Sequence, residues 1–237
     1  NYAISMSWVG NKITNEISAL SKLSLVKNWN EFSNIVREFS VPGQNIIYAD
    51  TLGNIGWRAA ALIPIRKDGG SLVPRPGWDS DYDWKGFIPF DEMPYIYNPK
   101  KGYIATANNK IVDDTFPYYI SNQWAEPSRI ERIEEWIESK EKLSPNDMKL
   151  LQNDRLSSFA REVTPNILKH LPNNLSGNQK TAYEYLINWD YIESPNSSAA
   201  LVFHVILDEL LNNIYKDELD LVDEKAFDAL VHFSMLP

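Results

Sequence analysis

The chain has 237 residues, 43% hydrophobic and 23% charged, a globular composition that excludes bulk disorder and allows one large domain or two small ones. Net charge is −9 and uneven: residues 127–237 carry 19 Asp and Glu against 11 Lys and Arg, whereas residues 1–126 are near balance. The acidic second half repels phosphate backbones, so no nucleic acid is expected as a partner, and with no basic face and no long apolar run no membrane is expected either.

In chain order, residues 1–126 read as β-rich and residues 127–237 as helical. Tyr2 to Val9 alternates loosely and ends at the turn signal Gly10-Asn11, which predicts a strand. Asn28 to Phe39 has apolar residues at 29, 32, 35, 36 and 39, the spacing of a helix, with Asn28 as its cap and Glu31 three residues on. Gln44 to Asp50 and Ile55 to Ile65 flank a Gly-containing loop and predict a β-hairpin, with Pro64 ending the second strand or putting it at an edge. Residues 66–102 are rich in Pro, Gly and aromatic residues (Trp78, Tyr82, Trp84, Phe87, Phe90) and read as a long irregular loop, either functional or packed through its rings. Tyr103 to Ala105 then read as a strand that delivers Asn108 and Asn109 at its end.

The helical half starts at Ser128, followed by an apolar stripe of Ile130, Ile133, Trp136 and Ile137. Ser144-Pro145-Asn146-Asp147 carries a cap, a Pro at the first position and an acid in the first turn, the marks of a helix start. Gln179 to Trp189 and Ser197 to Tyr215 predict two more helices; the second is apolar almost continuously from Ala199 to Leu207 and is expected to be buried all round. A last helix is expected over Asp223 to Phe233.

The chain has no cysteine, which excludes disulfides, thiol nucleophiles and thiolate metal sites without fixing a compartment. His170, His204 and His232 are far apart, and His204 reads as a core or boundary residue of its helix. No zinc, Walker, dinucleotide or GxSxG motif occurs. Asp79 to Asp83 (DSDYD) could offer oxygens to a cation but reads better as a solvated loop. The Trp-rich 78–136 region could stack sugars or bases, although packing of the loop explains it as well. Asn108-Asn109 alone fits a turn, since Asn tolerates left-handed backbone.

An ordered series of short pieces changes the weight of Asn108. QNIIYADTLGNIGW (44–57), IPIR (63–66), PGWDSDYDWKGFIPFDEMP (76–94), YNPKKGYIATANN (97–109) and WAEPSRIERI (124–133) follow one another, then LSPNDMKLLQNDRLSSFA (143–160) and WDYIESPNSSAALVF (189–203). In order and wording this resembles the β-chain of the penicillin acylase family of N-terminal-nucleophile amidohydrolases, over about Tyr2 to Phe203.

The resemblance implies an α+β chain, part of an αββα sandwich of antiparallel strands followed by a helical half of the same domain. It implies acyl transfer to an N-terminal Ser, freed by self-cleavage of a precursor, whose α-amino group (pKa about 7.7 in model compounds) serves as the base. By the same resemblance Asn108 donates a side-chain N–H to the oxyanion hole, and Arg129, in the segment before RI, helps to order the site. A carboxamide suits that task because it donates without titrating.

Residue 1 is Asn, and the first ten residues resemble a strand far downstream of the family's nucleophile. The chain is therefore expected to be an internal or C-terminal piece of a longer β-chain, inactive alone, with the nucleophile and acyl pocket outside it. Its expected partner is the rest of the precursor, with self-association through open strand edges a further expectation. The family often holds calcium, but FPYYISNQW (116–124) has no Asp where one ligand is expected, so no metal or other cofactor is expected in this chain, and calcium only in the intact enzyme. No leader is visible at residue 1; the resemblance favours an extracytoplasmic location. The expected substrate is an N-acylated small molecule, a β-lactam side chain or an N-acyl-homoserine lactone. The alternative reading is a non-catalytic binding or scaffold module that retains the framework.

Overall fold

The hairpin foreseen after Gln44 frames the first of two units, Asn1–Trp124 and Ala125–Pro237. A computed structural model describes residues 3–67 and 73–220 of the chain. Strands β1 (Gln44–Ala49) and β2 (Ile55–Ala60) pair antiparallel with Ile47 opposite Trp57. A short β3 (Tyr95–Tyr97) adds to the other side of β2 with Ile96 opposite Trp57, giving the order β1-β2-β3. The fold is α+β, with an antiparallel sheet.

Side chains alternate across a strand, and both faces of β2 are covered. On one face Tyr48 and Ala60 join Phe32, Val36 and Phe39 from α2 (Trp29–Val36) and its end, together with Ala19 of α1 (Glu16–Leu23). On the other face Trp57 and Ala59 pack with Ile88 and Met93, backed by Ile63, Ile65, Ile104, Ile111 and Tyr118. Each large apolar side chain buried this way contributes roughly 1.5–3 kcal/mol. The cap of α2 is the one the spacing calls for: the Glu31 N–H donates to Asn28 Oδ1 at 3.0 Å, and the Lys27 N–H donates to Glu31 Oε2 at 2.9 Å.

Arg58 brings a charge into the first face. It is 8% exposed, its Nε donates to Ser33 Oγ at 3.2 Å and its Nη1 to the Phe90 carbonyl at 3.3 Å. Its guanidinium lies 4.3 Å from the centre of the Phe90 ring and 4.7 Å from that of Tyr95, a cation–π setting. Burial pulls its pKa below the usual Arg value, with the nearby Asp91 charge opposing the shift.

Several expected elements differ. Residues 3–8 form no strand; Ile4, Met6 and Trp8 are exposed, and a 3₁₀ turn Val9–Asn11 follows. Alternation supplies an apolar face, but a ladder also needs a bonded partner, and residues 3–8 pair with none of the described strands. β2 stops at Ala60 rather than near Ile65; the Leu62 N–H turns to the Ser40 carbonyl, and Pro64 makes an isolated bridge to Phe87. The 66–102 stretch is not wholly irregular, since it contains β3 and two 3₁₀ turns, Ser80–Tyr82 and Phe90–Glu92. Tyr103 to Ala105 form no strand either. β2 is paired on both sides, and Ile104 packs into the Trp57 and Met93 cluster instead of joining a ladder.

The second unit contains α3 (Ser128–Glu138), α4 (Pro145–Gln152), α5 (Ser158–His170), α6 (Gly177–Ile187) and α7 (Ser198–Asp220). Ser144 and Asp147 form a reciprocal capping box at α4, with Asp147 N–H to Ser144 Oγ at 3.2 Å and Ser144 N–H to Asp147 Oδ2 at 2.8 Å. Phe203, Trp189, Leu186, Ala160, Ala199 and Ala200 make the core. Two N–H groups of Arg161 on α5 clasp Glu135 on α3 at 3.0 and 2.8 Å, and Arg132 Nε donates to Asp154.

α7 is not buried all round: Leu201 is 67% and Val205 54% exposed. Ala199, Ala200 and Phe203 are buried in the core and Val202, Ile206 and Leu207 pack partly against it, because the described helices cover α7 on one side. His204 is exposed rather than a core or boundary residue, and its Nε2 lies 3.2 Å from both carboxylate oxygens of Glu193. The helix expected over Asp223 to Phe233, and His232 with it, lie outside the described residues. No helix among the described residues is long and apolar enough to cross a membrane.

Candidate active site

The segment that carries Asn108 starts at the end of β3. Asn98 takes a left-handed backbone (φ 47°), which Asn tolerates better than most residues. Its N–H donates to the Ile55 carbonyl, its Oδ1 accepts from the Ile55 N–H, and its Nδ2 donates to Asn54 Oδ1, each at 2.9 Å. The chain then turns: the Gly102 N–H donates to the Pro99 carbonyl at 3.0 Å, with Gly102 at φ 78°, where a Cβ would be strained. Beyond the turn Ile104 and Ile111 pack against the Trp57 cluster and Ala107 is buried.

Asn108 stands at a bend with φ 61° and is exposed. It is not at a strand end, and the segment around it is packed through Ile104, Ala107 and Ile111 rather than paired in a ladder. Asn109 serves the turn: its Oδ1 accepts from the Ala107 N–H at 3.0 Å and its Nδ2 donates to the Lys110 carbonyl at 3.1 Å. The left-handed backbone accounts for an Asn or a Gly at 108, but only Asn brings a carboxamide.

Arg129 is the second residue of α3, exposed in the first turn, with Ile130 buried beside it. Glu126 orders that helix start by accepting from the Ser128 N–H at 2.9 Å and from the Ser128 hydroxyl. Asn108 belongs to the first unit and Arg129 to the second.

The sequence reading missed the joint upstream of Asn108. Asp50 accepts from the Leu52 N–H, the Asn54 N–H, Asn54 Nδ2 and the Tyr48 hydroxyl, at 2.7 to 2.9 Å. The Asn54 side chain, followed by that of Tyr48, holds the Asp50 carboxyl at about 2, below its ordinary 3.8. Burial and the Asp50 partner push Tyr48 up to about 12 from 10.0. The available signal was the pair of short motifs Gly53-Asn54 and Asn98-Pro99, two Asn-containing turns that the fold brings together.

A groove of about 610 Å³ lies between β1 and the α1–α2 turn, lined by Leu23, Val26, Phe32, Ile46 and Tyr48. Another of about 610 Å³ lies beside Tyr185 and Trp189. Neither is lined by Asn108 or Arg129. Among the described residues no group of three or more His, Cys, Asp or Glu could hold a metal ion.

The penicillin amidase family model matches residues 1–235. The acyl-homoserine lactone acylase QuiP of Pseudomonas fluorescens (strain Pf0-1) is 29% identical over 227 residues, 91% of this chain and 28% of that protein. The penicillin acylase 2 proenzyme of Pseudomonas sp. (strain SE83) is 33% identical over 173 residues, 71% of this chain and 22% of that protein. Among solved structures, a thermostable penicillin G acylase from Alcaligenes faecalis matches with a TM-score of 0.68 and 25% identity, covering 90% of this chain and 39% of that one. The chain thus spans between 22% and 28% of the length of these two curated relatives. With the match running from end to end of the sheet and the helical unit, the chain belongs to the penicillin amidase family.

Proposed function

We propose that this chain is part of an acylase that hydrolyses the amide of an N-acylated small molecule, by acyl transfer to an N-terminal Ser carried elsewhere in the polypeptide. The observation that carries the reading is Asn108 standing exposed at a left-handed bend, in a segment fastened by Ile104 and Ala107. As the acyl carbon becomes tetrahedral its oxygen gains charge, and a preorganised donor lowers that barrier because it need not reorganise. The Asn108 NH₂ is such a donor; Arg129, on the second unit, is proposed separately as a site-ordering residue of the whole enzyme. Family membership and the names of the relatives, one for acyl-homoserine lactones and one for penicillin, support the amide class and its two candidate substrates.

The test expresses the full-length polypeptide that carries this sequence. Amine release is assayed from N-octanoyl-homoserine lactone and from penicillin G, and the residue at each mature N-terminus is determined. Turnover of either substrate with a mature N-terminal Ser is expected. No turnover of either, or mature termini without a hydroxyl, would overturn the reading.

A further inference from the structure

We infer that Asn98 is a positioning residue for Asn108, an inference that rests on the oxyanion reading above. Residues 103–106 make no regular secondary structure, so no ladder sets the register in which Asn108 is presented. Its place depends on point anchors on either side. Beside it, Ala107 is buried and donates its N–H to Asn109 Oδ1, and just downstream Asn109 Nδ2 donates to the Lys110 carbonyl. Upstream, Asn98 is a directional anchor, fastened by three hydrogen bonds of 2.9 Å to Asn54 and Ile55.

The other side of this joint is stiff. Asn54 is held through both its N–H and its side chain by Asp50, and the Asp50 N–H returns to the Asn54 carbonyl at 3.0 Å. Ile55 begins β2, whose next inward residue, Trp57, belongs to the same cluster as Ile104. The hairpin turn and the 98–102 turn therefore move as one body, and the segment leading to Asn108 leaves from it. Freeing Asn98 lets the 99–107 stretch shift, and a displacement of about 1 Å at a reacting centre can cost on the order of 100-fold in rate.

The experiment is a double-mutant cycle in the full-length enzyme, read as kcat on whichever of N-octanoyl-homoserine lactone and penicillin G is turned over. Asn98→Gly keeps the left-handed backbone and removes the side-chain bonds, and Asn54→Ala breaks the same joint from the hairpin side. Each is expected to lower kcat roughly 10- to 100-fold with KM little changed. In an Asn108→Gly background neither should lower kcat further, because a residue acting through another has no separate effect once that one is gone. An equal loss in both backgrounds, or no loss in either, would overturn the positioning role. Melting curves accompany each variant, and if both unfold, the joint serves stability alone and the proposal fails. If instead Asn108→Gly leaves kcat unchanged, it is the oxyanion reading that falls.

Discussion

The indole of Trp29 fills the space where a side chain on Gly56 would begin: a Cβ there would stand 2.2 Å from Trp29 Cζ3. Trp29 cannot easily retreat, because its ring stacks on Tyr97 with centroids 4.8 Å apart and on Phe32 at 5.3 Å. Gly56→Ala is expected to destabilise the protein by about 1–3 kcal/mol through this overlap. The urea midpoint measures it; an unchanged midpoint would mean that Trp29 is not held there.

Asn108 has two properties that substitutions can separate. Asn108→Gly keeps the left-handed backbone and loses the carboxamide, whereas Asn108→Ala loses both. In the full-length enzyme both should lower kcat by about 10²–10³. Only Asn108→Ala should also lower the melting temperature. A Gly variant with full activity would remove the amide from the mechanism.

The Tyr48–Asp50 pair should leave a mark at each end of the stability–pH curve. Asp50 in the fold titrates at about 2, below its ordinary 3.8. Its contribution is therefore complete above that ordinary value and is lost as pH falls toward 2. Tyr48 titrates at about 12, above its ordinary 10.0. Its contribution is complete below 10.0 and is lost as pH rises toward 12. Denaturation midpoints across pH should show the acid limb flattened in Asp50→Asn and the alkaline limb flattened in Tyr48→Phe. Limbs unchanged in both variants would contradict the bond between them.

Arg132 and Asp154 are both largely covered, with side chains 18% and 16% exposed. Removing the cation leaves a half-enclosed carboxylate without its partner, so Arg132→Ala should cost on the order of 3 kcal/mol. Arg161→Ala, at a pair whose side chains are 43% and 44% exposed, should cost about 1 kcal/mol or less. Calorimetry on the two variants ranks them, and the reverse order would refute the burial argument.

β1 is bonded on one side only among the described strands. The closing pair Asp50 and Asn54 sets the alternation so that Asn45, Ile47 and Ala49 turn their main-chain groups away from β2. No residue of β1 carries a charge to discourage pairing. The 237-residue chain, expressed by itself, is expected to associate through this edge, and Ile47→Lys to suppress the association. Light scattering that finds a monomer before the substitution would count against it.

What was legible in the residues was what depends on neighbours along the chain. The Asn28 and Ser144 caps, the β1–β2 hairpin and helices α3, α4, α6 and α7 follow from spacing and capping chemistry within a turn or two, whereas α5 (Ser158–His170), with Pro165 inside it, was not legible in this way. The ordered motifs likewise carried the family. Where an edge or a covering surface was needed, local pattern was silent. Ile4, Met6 and Trp8 alternate as a strand would but pair with none of the described strands, and Tyr103 to Ala105 are apolar but feed a core beside a β2 already paired on both sides. Leu201 and Val205 look like core residues in sequence and face outward, because burial is set by what packs on a helix and not by its composition. The contact between Asn54 and Asn98 belongs to tertiary structure for the same reason: two polar turns distant in sequence become one joint only when β3 closes on β2.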